Sequence, residues 1–227
     1  MTSRQTAIRA LVFDLHGTLI DSAPDIHAAA NRLMAEMKLK PFDLTTITSY
    51  IGNGIPKLVE RCLAAAGADA DENGLEQAIA RFKSFYAEEP ALRTRPYPGV
   101  VEALAELSHA GCRLGVCTNK AEDLSRAALE QLGMARSFEV LIGGDTLPTR
   151  KPDPAGLLHA IAQLGASVED ALYVGDSEVD AETAQAAGLR FAFFTGGYRK
   201  SPIEAISHWR RFEDMRELTN LVATVAG

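Results

Sequence analysis

The sequence predicts an α/β fold in which a parallel sheet is interrupted, shortly after its first strand, by a helical insertion. From Val100 onward, short apolar runs alternate with segments of helical periodicity. Between about Ala23 and Thr94 the periodicity is helical throughout and no strand pattern stands out. Strands that alternate with helices of this length form a parallel sheet covered on both faces, so the pattern from Val100 onward predicts such a sheet.

The apolar run Ala10–Phe13 predicts a buried first strand that ends at Asp14. Four more strands are predicted from apolar runs, at Arg113–Cys117, Val140–Ile142, Ala171–Val174 and Arg190–Phe194. Helices are predicted between them over 121–132, 154–164 and 178–187, where Pro154 opens the second and Gly188 stops the third. Residues 195–202 are expected to form a loop, and a helix over 207–225 is expected to close the domain.

The insertion contains three helical patterns, over 26–37, 56–66 and 75–86. Residues 23–94 are therefore expected to form a helical domain, inserted into an α/β core made of residues 1–22 and 95–227. Breaks separate the helices at Pro41, at Gly52-Asn53-Gly54 and over 67–74. The segment Gly52-Asn53-Gly54 has two readings, a helix-breaking turn or a loop that faces a substrate.

Composition limits the classes of function. The chain has 227 residues, 47% of them hydrophobic, and a formal charge of −7. This acidic balance argues against nucleic acid as a partner. No run of about 20 apolar residues predicts a membrane span, and no apolar signal core follows Met1. Cys62, Cys112 and Cys117 lack paired spacing, so we expect reduced thiols and a cytoplasmic protein.

Polar side chains follow the predicted strands at the points where those strands end. Because ligands bind beyond the carboxyl ends of parallel strands, these residues are the candidates for a site. They are Asp14 after the first strand, Thr118, Asn119 and Lys120 after the second, Arg150 and Lys151 after the third, and Asp176, Ser177 and Asp180 after the fourth. Carboxylates, a hydroxyl, an amide and an ammonium are thus expected to meet at one edge.

This mixture suits phosphoryl transfer through an aspartyl-phosphate. A carboxylate that attacks a phosphate dianion meets charge repulsion, which a hard cation such as Mg²⁺ relieves. Asp14 and Asp176 are expected to supply carboxylate ligands, Thr118 a hydrogen bond to a phosphoryl oxygen, and Lys151 a positive charge beside phosphorus. Turn amides around Gly17 and Asn119 are expected to add donors.

Four segments together resemble the haloacid dehalogenase superfamily of phosphatases. They are Phe13-Asp14-Leu15-His16-Gly17-Thr18-Leu19, Cys117-Thr118-Asn119-Lys120, Lys151-Pro152-Asp153-Pro154, and Val174-Gly175-Asp176-Ser177-Glu178-Val179-Asp180. The resemblance implies a Rossmann-like core with an inserted helical cap, and a Mg²⁺-dependent phosphatase. Its implied roles are nucleophile and metal ligand for Asp14, backbone-carbonyl ligand for His16, metal ligand for Asp176, an outer metal contact for Ser177 and Asp180, and phosphoryl binding by Gly17, Thr18, Thr118, Asn119 and Lys151.

Further segments resemble the phosphoglycolate phosphatases of that superfamily, among them Asp21-Ser22-Ala23-Pro24-Asp25, Tyr50-Ile51-Gly52-Asn53-Gly54 and Thr195-Gly196-Gly197-Tyr198. The resemblance implies a small anionic phosphate ester as the substrate, with 2-phosphoglycolate as the leading candidate. Another small sugar or nucleotide phosphate is the alternative. A monomer or a homodimer is expected.

His16 departs from the superfamily pattern, which has an acid–base aspartate two residues after the nucleophile. Imidazole can transfer protons, so His16 is a candidate acid–base residue of lower efficiency. The other readings are slow hydrolysis of the phospho-enzyme, an altered residue in an ordinary phosphatase, and a module that binds Mg²⁺ and phosphate without turnover. A metal-free haloacid dehalogenase is a further alternative, because such enzymes do not have the second aspartate either. They also have no acidic metal site, however, and Asp176 and Asp180 indicate such a site here.

Overall fold

The computed structural model describes residues 7–68, 70–88 and 91–223. They divide into two compact units, one within Met1–Ile20 and Pro96–Gly227 and the other within Asp21–Arg95. The helical insertion predicted over 23–94 falls within the second unit.

The elements of both units follow in chain order. The strands are β1 (Ala10–Phe13), β2 (Ile20–Asp21), β3 (Arg95–Pro96), β4 (Arg113–Cys117), β5 (Val140–Ile142), β6 (Ala171–Gly175), β7 (Arg190–Phe194) and β8 (Arg210–Phe212). The α-helices are α1 (Ala23–Glu36), α2 (Leu44–Tyr50), α3 (Gly54–Ala65), α4 (Glu72–Glu88), α5 (Val100–His109), α6 (Glu122–Gln131), α7 (Ala155–Gln163), α8 (Glu178–Ala187) and α9 (Glu217–Ala223). Short 3₁₀ helices cover Ala135–Ser137 and Ile203–Ala205.

The first unit is built on a six-stranded sheet in the order β5-β4-β1-β6-β7-β8. All neighbouring strands in it pair in parallel, which confirms the predicted α/β class. Strands β2 and β3 form a separate two-stranded sheet. Because β1 lies between β4 and β6, the chain leaves β1 toward one side and later returns to the other. Such a reversal of strand order is where parallel sheets bind ligands, at their carboxyl ends.

Burial on both faces explains why the central strands are continuous apolar runs. Every residue of β1 and β6 is buried. Alternate side chains point to opposite faces, so Ala10 and Val12 of β1 join a core with Tyr173 of β6 and with α7 and α8. The side chain of Phe13 points to the opposite face of β1, where its ring packs edge to face against Phe138 with 6.2 Å between the ring centroids. The sheet is therefore held by apolar packing, and its polar groups collect where the strands end.

The predicted helix over 207–225 is wrong for residues 207–216 and is confirmed for residues 217–223. Residues 210–212 instead form β8, the edge strand, which pairs with β7 in the register Ala192↔Arg210 and Phe194↔Phe212. The backbone N–H of Trp209 also donates to the carbonyl of Phe191. Pairing with β7 satisfies backbone groups that an isolated edge would leave exposed, so a strand replaces the first turns of the expected helix. Helix α9 forms only from Glu217, and the last two residues of the predicted helix lie outside the described part of the chain.

The second unit contains α1 to α4. The helices predicted over 26–37, 56–66 and 75–86 correspond to α1, α3 and α4, with ends that differ by a few residues. Helix α2 was not predicted; it begins where the carboxylate of Asp43 accepts a hydrogen bond from the N–H of Thr46 at 2.7 Å. Asp25, in the first turn of α1, accepts hydrogen bonds from the backbone N–H groups of Arg93 and Thr94. The start and the end of this unit are thereby joined.

Candidate active site

Asp14 and Asp176 stand at the carboxyl ends of neighbouring central strands. Phe13 and Val174 are register partners in the β1–β6 pair, and the N–H of Asp14 donates to the carbonyl of Val174 at 2.8 Å. The parallel register therefore brings the next polar residues of both strands to the same edge. The residues Asp14 and Asp176 are only 6% and 2% exposed, so their charges are held in a largely dehydrated position.

Asp180 completes a cluster of three buried carboxyl groups. Asp14, Asp176 and Asp180 each offer an oxygen, and these oxygens lie within 4.8 Å of one another. Burial raises the pKa of Asp14 from 3.8 to about 6, with Lys151 opposing and Asp180 adding to the shift. Burial, followed by Asp180 and Asp14, raises the pKa of Asp176 well above 3.8. The cluster thus carries more negative charge than its surroundings compensate, and its hard oxygen donors suit a divalent cation.

Lys151 places a cation within this cluster. Its ammonium donates to Asp14 Oδ1 at 2.8 Å, to Asp180 Oδ1 at 2.6 Å and to the Tyr173 hydroxyl at 3.0 Å. Burial alone would lower the pKa of Lys151, but Asp14 and Asp180 outweigh burial and raise it above 10.5. The ammonium therefore stays charged beside the carboxylate of Asp14, where a positive charge can offset charge that develops on a bound phosphoryl group.

The carboxylate of Asp180 has donors at both oxygens. Its Oδ1 accepts from Lys151 and, at 2.8 Å, from the hydroxyl of Tyr173. Its Oδ2 accepts from the backbone N–H and the hydroxyl of Ser177 and from the N–H of Asp176. Ser177 and Asp180 form a capping box at the start of α8. With its oxygens so engaged, Asp180 is better arranged to hold Lys151 and the β6 loop than to bind a cation directly.

The carboxylate of Asp176 is positioned by the loops after β1 and β7. The hydroxyl of Thr18 donates to its Oδ1 at 2.7 Å, and the N–H of Tyr198 donates to its Oδ2 at 2.6 Å. Gly17 has a φ of 88°, and a Cβ there would lie 2.3 Å from Asp176 Oδ2. Glycine is thus required both for the turn and for the close approach of the carboxylate. The Thr18 hydroxyl is thus paired with Asp176, and its role in binding phosphate stays a prediction.

The loop after β4 brings Thr118 and Asn119 to the same edge of the sheet. Thr118 is buried, and its N–H donates to the carbonyl of Ile142 at 3.0 Å. The side-chain amide of Asn119 donates to the backbone carbonyl of Lys151 at 3.1 Å, which links this loop to the lysine loop. The N-cap of α6 is Ala121, so Thr118 does not cap that helix. The N–H of Glu122, the first residue of α6, instead donates to the carboxylate of Asp145 in the loop after β5.

His16 lies in the turn between Asp14 and Gly17, and a backbone bridge pairs it with Ile20. The residue is half-buried, while its Nε2 atom is shielded from solvent. Burial, with the positive charges of Lys120 and Lys151, holds the pKa of the imidazole well below 6.5. The neutral imidazole is therefore the favoured form in this charge arrangement.

The segment Gly52-Asn53-Gly54 belongs to the second unit, where it connects α2 to α3. Both glycines have positive φ angles, 121° and 82°. The side-chain oxygen of Asn53 accepts a hydrogen bond from Arg61 at 2.9 Å, and Arg61 also donates to the carbonyl of Tyr50. These contacts fix the turn within its own unit. A role in facing a substrate stays a prediction.

Three residues that shape the site were given no site role from the sequence: Tyr173, Tyr198 and Asp145. Tyr173 lies in a predicted apolar strand, but a tyrosine two residues before a strand's end can extend its hydroxyl to the polar edge. Tyr198 contributes a backbone N–H, for which its side-chain type gives no signal. Asp145 follows Gly143-Gly144 directly, and its position after a predicted strand was a usable signal.

Comparison with known proteins agrees with this geometry. The sequence model of the family described as haloacid dehalogenase-like hydrolase matches residues 11–194. A protein of Cereibacter sphaeroides named phosphoglycolate phosphatase is 49% identical over 212 residues, which cover 93% of this chain and 96% of that protein. A protein of the same name from Rhodobacter capsulatus is 42% identical over 213 residues, covering 94% of this chain and 96% of its own length.

A crystal structure described as a predicted phosphoglycolate phosphatase from Haemophilus somnus 129PT matches with a TM-score of 0.89 and 28% identity, covering 95% of this chain and 98% of that one. Within the described residues, no helix has both the length and the apolar character needed to cross a membrane. The resemblance carried by the four motifs is thus confirmed. Because the family match spans most of the sequence and the named relatives align with nearly all of it, the chain belongs to the haloacid dehalogenase-like hydrolase family.

Proposed function

We propose that the chain is a Mg²⁺-dependent phosphatase that hydrolyses 2-phosphoglycolate through a phosphate ester on Asp14. The observation that carries this proposal is the buried contact of Asp14 Oδ1 with the Lys151 ammonium at 2.8 Å, next to the carboxylate of Asp176. A carboxylate nucleophile, a fixed positive charge and a second acidic ligand are the groups that this reaction requires. The relatives named phosphoglycolate phosphatase support both the reaction and the substrate.

The residues present fit a magnesium ion. Asp14 and Asp176 offer carboxylate oxygens within 4.8 Å of each other, and burial together with neighbouring carboxylates raises the pKa of both groups, so a bound cation would relieve an unfavourable concentration of negative charge. These two carboxylates, with the backbone carbonyl of residue 16, would hold the ion, and Ser177 and Asp180 would lie outside its direct ligands. When bound, Mg²⁺ neutralises phosphate charge and so lets a carboxylate approach phosphorus.

In the first half of the reaction, an oxygen of Asp14 attacks phosphorus and the bond from phosphorus to the ester oxygen breaks. The departing glycolate oxygen takes a proton from an acid–base group. In the second half, water attacks phosphorus, the bond to Asp14 breaks, and a proton of the water passes to that acid–base group. Thr118 and the turn amides around Gly17 and Asn119 bind the phosphoryl oxygens throughout, and the Lys151 ammonium, held beside Asp14, offsets the charge that develops on the phosphoryl group.

The acid–base group of this chain is His16. It follows Asp14 by two residues, the spacing at which the resemblance implies an aspartate. Because the neutral imidazole is its favoured form, His16 is suited to take the proton from water in the second half, and only its minor protonated form can supply the proton to the glycolate oxygen in the first half. Turnover is expected to be slower than with a carboxyl group there, because loss of a well-placed acid–base group costs on the order of 10²–10⁴ in rate.

The helical unit within Asp21–Arg95 is the proposed cap, and the turn Gly52-Asn53-Gly54 is its proposed substrate loop. A cap of this kind would exclude water and select the leaving group. Among the described residues Cys62, Cys112 and Cys117 are free cysteines, as expected of a cytoplasmic enzyme. A monomer or a homodimer is the proposed assembly, which size-exclusion chromatography with light scattering would test.

The test is hydrolysis of 2-phosphoglycolate, glucose 6-phosphate, AMP and p-nitrophenyl phosphate, each with Mg²⁺ and with EDTA. We expect the highest kcat/KM for 2-phosphoglycolate, activity only with Mg²⁺, and none for Asp14→Asn. Equal activity in EDTA would contradict the proposal. A higher kcat/KM for glucose 6-phosphate or AMP would make that phosphate ester, and not 2-phosphoglycolate, the proposed substrate. Chloride release from 2-chloroacetate serves as the dehalogenase control, and the acidic cluster predicts that none occurs.

His16 favours one other function, a module that binds Mg²⁺ and phosphate without turnover. Inorganic phosphate or orthovanadate binding by calorimetry separates the two functions. Tight binding together with no hydrolysis at any pH would support the binding module.

A further inference from the structure

We propose that Tyr173 is a positioning residue that directs the Lys151 ammonium toward Asp14. This inference rests on the proposed phosphatase function. Tyr173 lies in β6 and is completely buried. Its hydroxyl is 3.0 Å from Lys151 Nζ, 2.8 Å from Asp180 Oδ1 and 3.3 Å from the carbonyl oxygen of Cys117. One hydroxyl thus meets groups from β4, from α8 and from the lysine loop.

The number of hydrogen atoms decides the direction of each hydrogen bond. A lysine ammonium has three N–H donors and no acceptor, whereas a hydroxyl has one donor and two lone pairs. Lys151 therefore donates to Tyr173, and the tyrosine proton goes to the nearer and negatively charged Asp180. The three donors of Lys151 are then assigned to Asp14, Asp180 and Tyr173.

Lysine needs such support because its side chain is flexible and its ammonium is not directional. A buried lysine loses rotamer entropy when it is fixed, and its compact charge attracts any nearby oxygen. Asp180 and Asp14 are both anionic and attract the same ammonium. The Tyr173 hydroxyl supplies a third acceptor in another direction, and this fixes the rotation of the ammonium so that one N–H remains on Asp14.

Packing fixes the position of the tyrosine itself. Tyr173 pairs in register with Val12, two residues before Asp14, and its ring lies 6.0 Å from the ring of Phe191. The side chain belongs to the core that α7 and α8 cover. A rigid aromatic ring on a central strand therefore holds the hydroxyl at a constant distance from the nucleophile.

The first experiment compares Tyr173→Phe with the native enzyme on 2-phosphoglycolate at saturating Mg²⁺. Removal of the hydroxyl leaves the ring packing and removes one acceptor of Lys151, so we expect kcat to fall about tenfold with KM nearly unchanged. Tyr86→Phe is the matched control, since Tyr86 is a buried tyrosine of α4 in the other unit. A kcat of Tyr173→Phe equal to the native value at saturating Mg²⁺ would overturn the positioning role.

A second readout does not depend on turnover. Beryllium fluoride forms a mimic of the phosphate group on a reactive aspartate, and ¹⁹F NMR reports the surroundings of its fluorine atoms. In Tyr173→Phe we expect one fluorine resonance, the one that disappears or moves most in Lys151→Arg, to shift, while Tyr86→Phe leaves all resonances in place. Unchanged resonances in Tyr173→Phe would overturn the inference.

The two proposals fail in different ways. If the native protein neither hydrolyses phosphate esters nor forms the adduct, the proposed function fails. If the native protein does both and Tyr173→Phe matches it, only the role of Tyr173 fails. Should Tyr173→Phe not fold, the ¹⁵Nζ resonance of Lys151 in the native protein decides: slow exchange with water supports an ammonium anchored by three acceptors, and rapid exchange overturns it.

Discussion

Replacement of Asp14 by asparagine is expected to abolish catalysis. The same replacement is expected to stabilise the metal-free protein against unfolding at neutral pH. The structure raises the pKa of Asp14 from 3.8 to about 6, mainly by burial. Between these two values the folded state keeps a proton that the unfolded state releases, so the free energy of unfolding falls as the pH rises through this window. One pKa unit corresponds to about 1.4 kcal/mol, which gives a loss of about 3 kcal/mol that is complete above pH 6.

Asparagine resembles the protonated acid and does not ionise. In EDTA at pH 7.5, Asp14→Asn should therefore be more stable than the native protein by up to about 3 kcal/mol, and at pH 3.5 the two should be nearly equal. Urea unfolding followed by the fluorescence of Trp209 measures this, because Trp209 is the single tryptophan and lies in the unit that contains the site.

Asp25→Asn provides a matched control with the opposite expected sign. Asp25 is also buried, but its carboxylate accepts hydrogen bonds from the backbone of Arg93 and from both the backbone and the hydroxyl of Thr94. Hydrogen bonds to a charged group contribute about 1.5–3 kcal/mol each, so this variant should be less stable by circular dichroism at 222 nm. Destabilisation of Asp14→Asn in EDTA at pH 7.5, comparable to that of Asp25→Asn, would refute the charge argument for the site.

Three further predictions concern the turn after β1. His16→Asp should raise kcat on 2-phosphoglycolate at least tenfold by steady-state assay, because a carboxyl group replaces imidazole in proton transfer; an unchanged kcat would leave His16 without an acid–base role. Thr18→Val removes the 2.7 Å hydrogen bond to Asp176 and should weaken Mg²⁺ binding several-fold by calorimetry, whereas Thr183→Val in α8 should not. Gly17→Ala places a methyl group 2.3 Å from Asp176 Oδ2 at a φ of 88°, so Mg²⁺ binding should be lost, and native affinity would contradict the reported packing.

The sheet could be predicted from sequence because its central strands are buried on both faces. Such strands are continuous apolar runs, and the residues that follow them reach one edge whatever the connections between them. Asp14, Asp176 and Lys151 were found in this way. The edge strand β8 was missed, because Arg210 and Arg211 are exposed and only Phe212 is buried, so its sequence lacks the apolar run of the other strands.

The finer arrangement of the site depends on contacts between distant segments, which one sequence does not encode locally. Thr18 was expected to bind phosphate. Its contact with Asp176, 158 positions away in sequence, follows only from the pairing of β1 with β6, which brings their carboxyl ends together. The Tyr173 hydroxyl is a similar case, since its partners Lys151 and Cys117 come from other strand ends. Apolar periodicity records that Tyr173 is buried and gives no information about where its polar atom points.

The turn that carries residue 16 is held by backbone hydrogen bonds and by glycine. The N–H of Gly17 donates to the carbonyl of Ile20, and the N–H groups of Leu19 and Ile20 donate to the carbonyl of Leu15. None of these backbone contacts uses the side chain at position 16, so the backbone of the turn accepts histidine, aspartate or alanine. An aspartate there would add negative charge beside Asp14 and Asp176, so the variants are compared at saturating Mg²⁺, which offsets that charge. A comparison of His16, His16→Asp and His16→Ala, all with the same melting temperature, would attribute any difference in kcat to proton transfer alone.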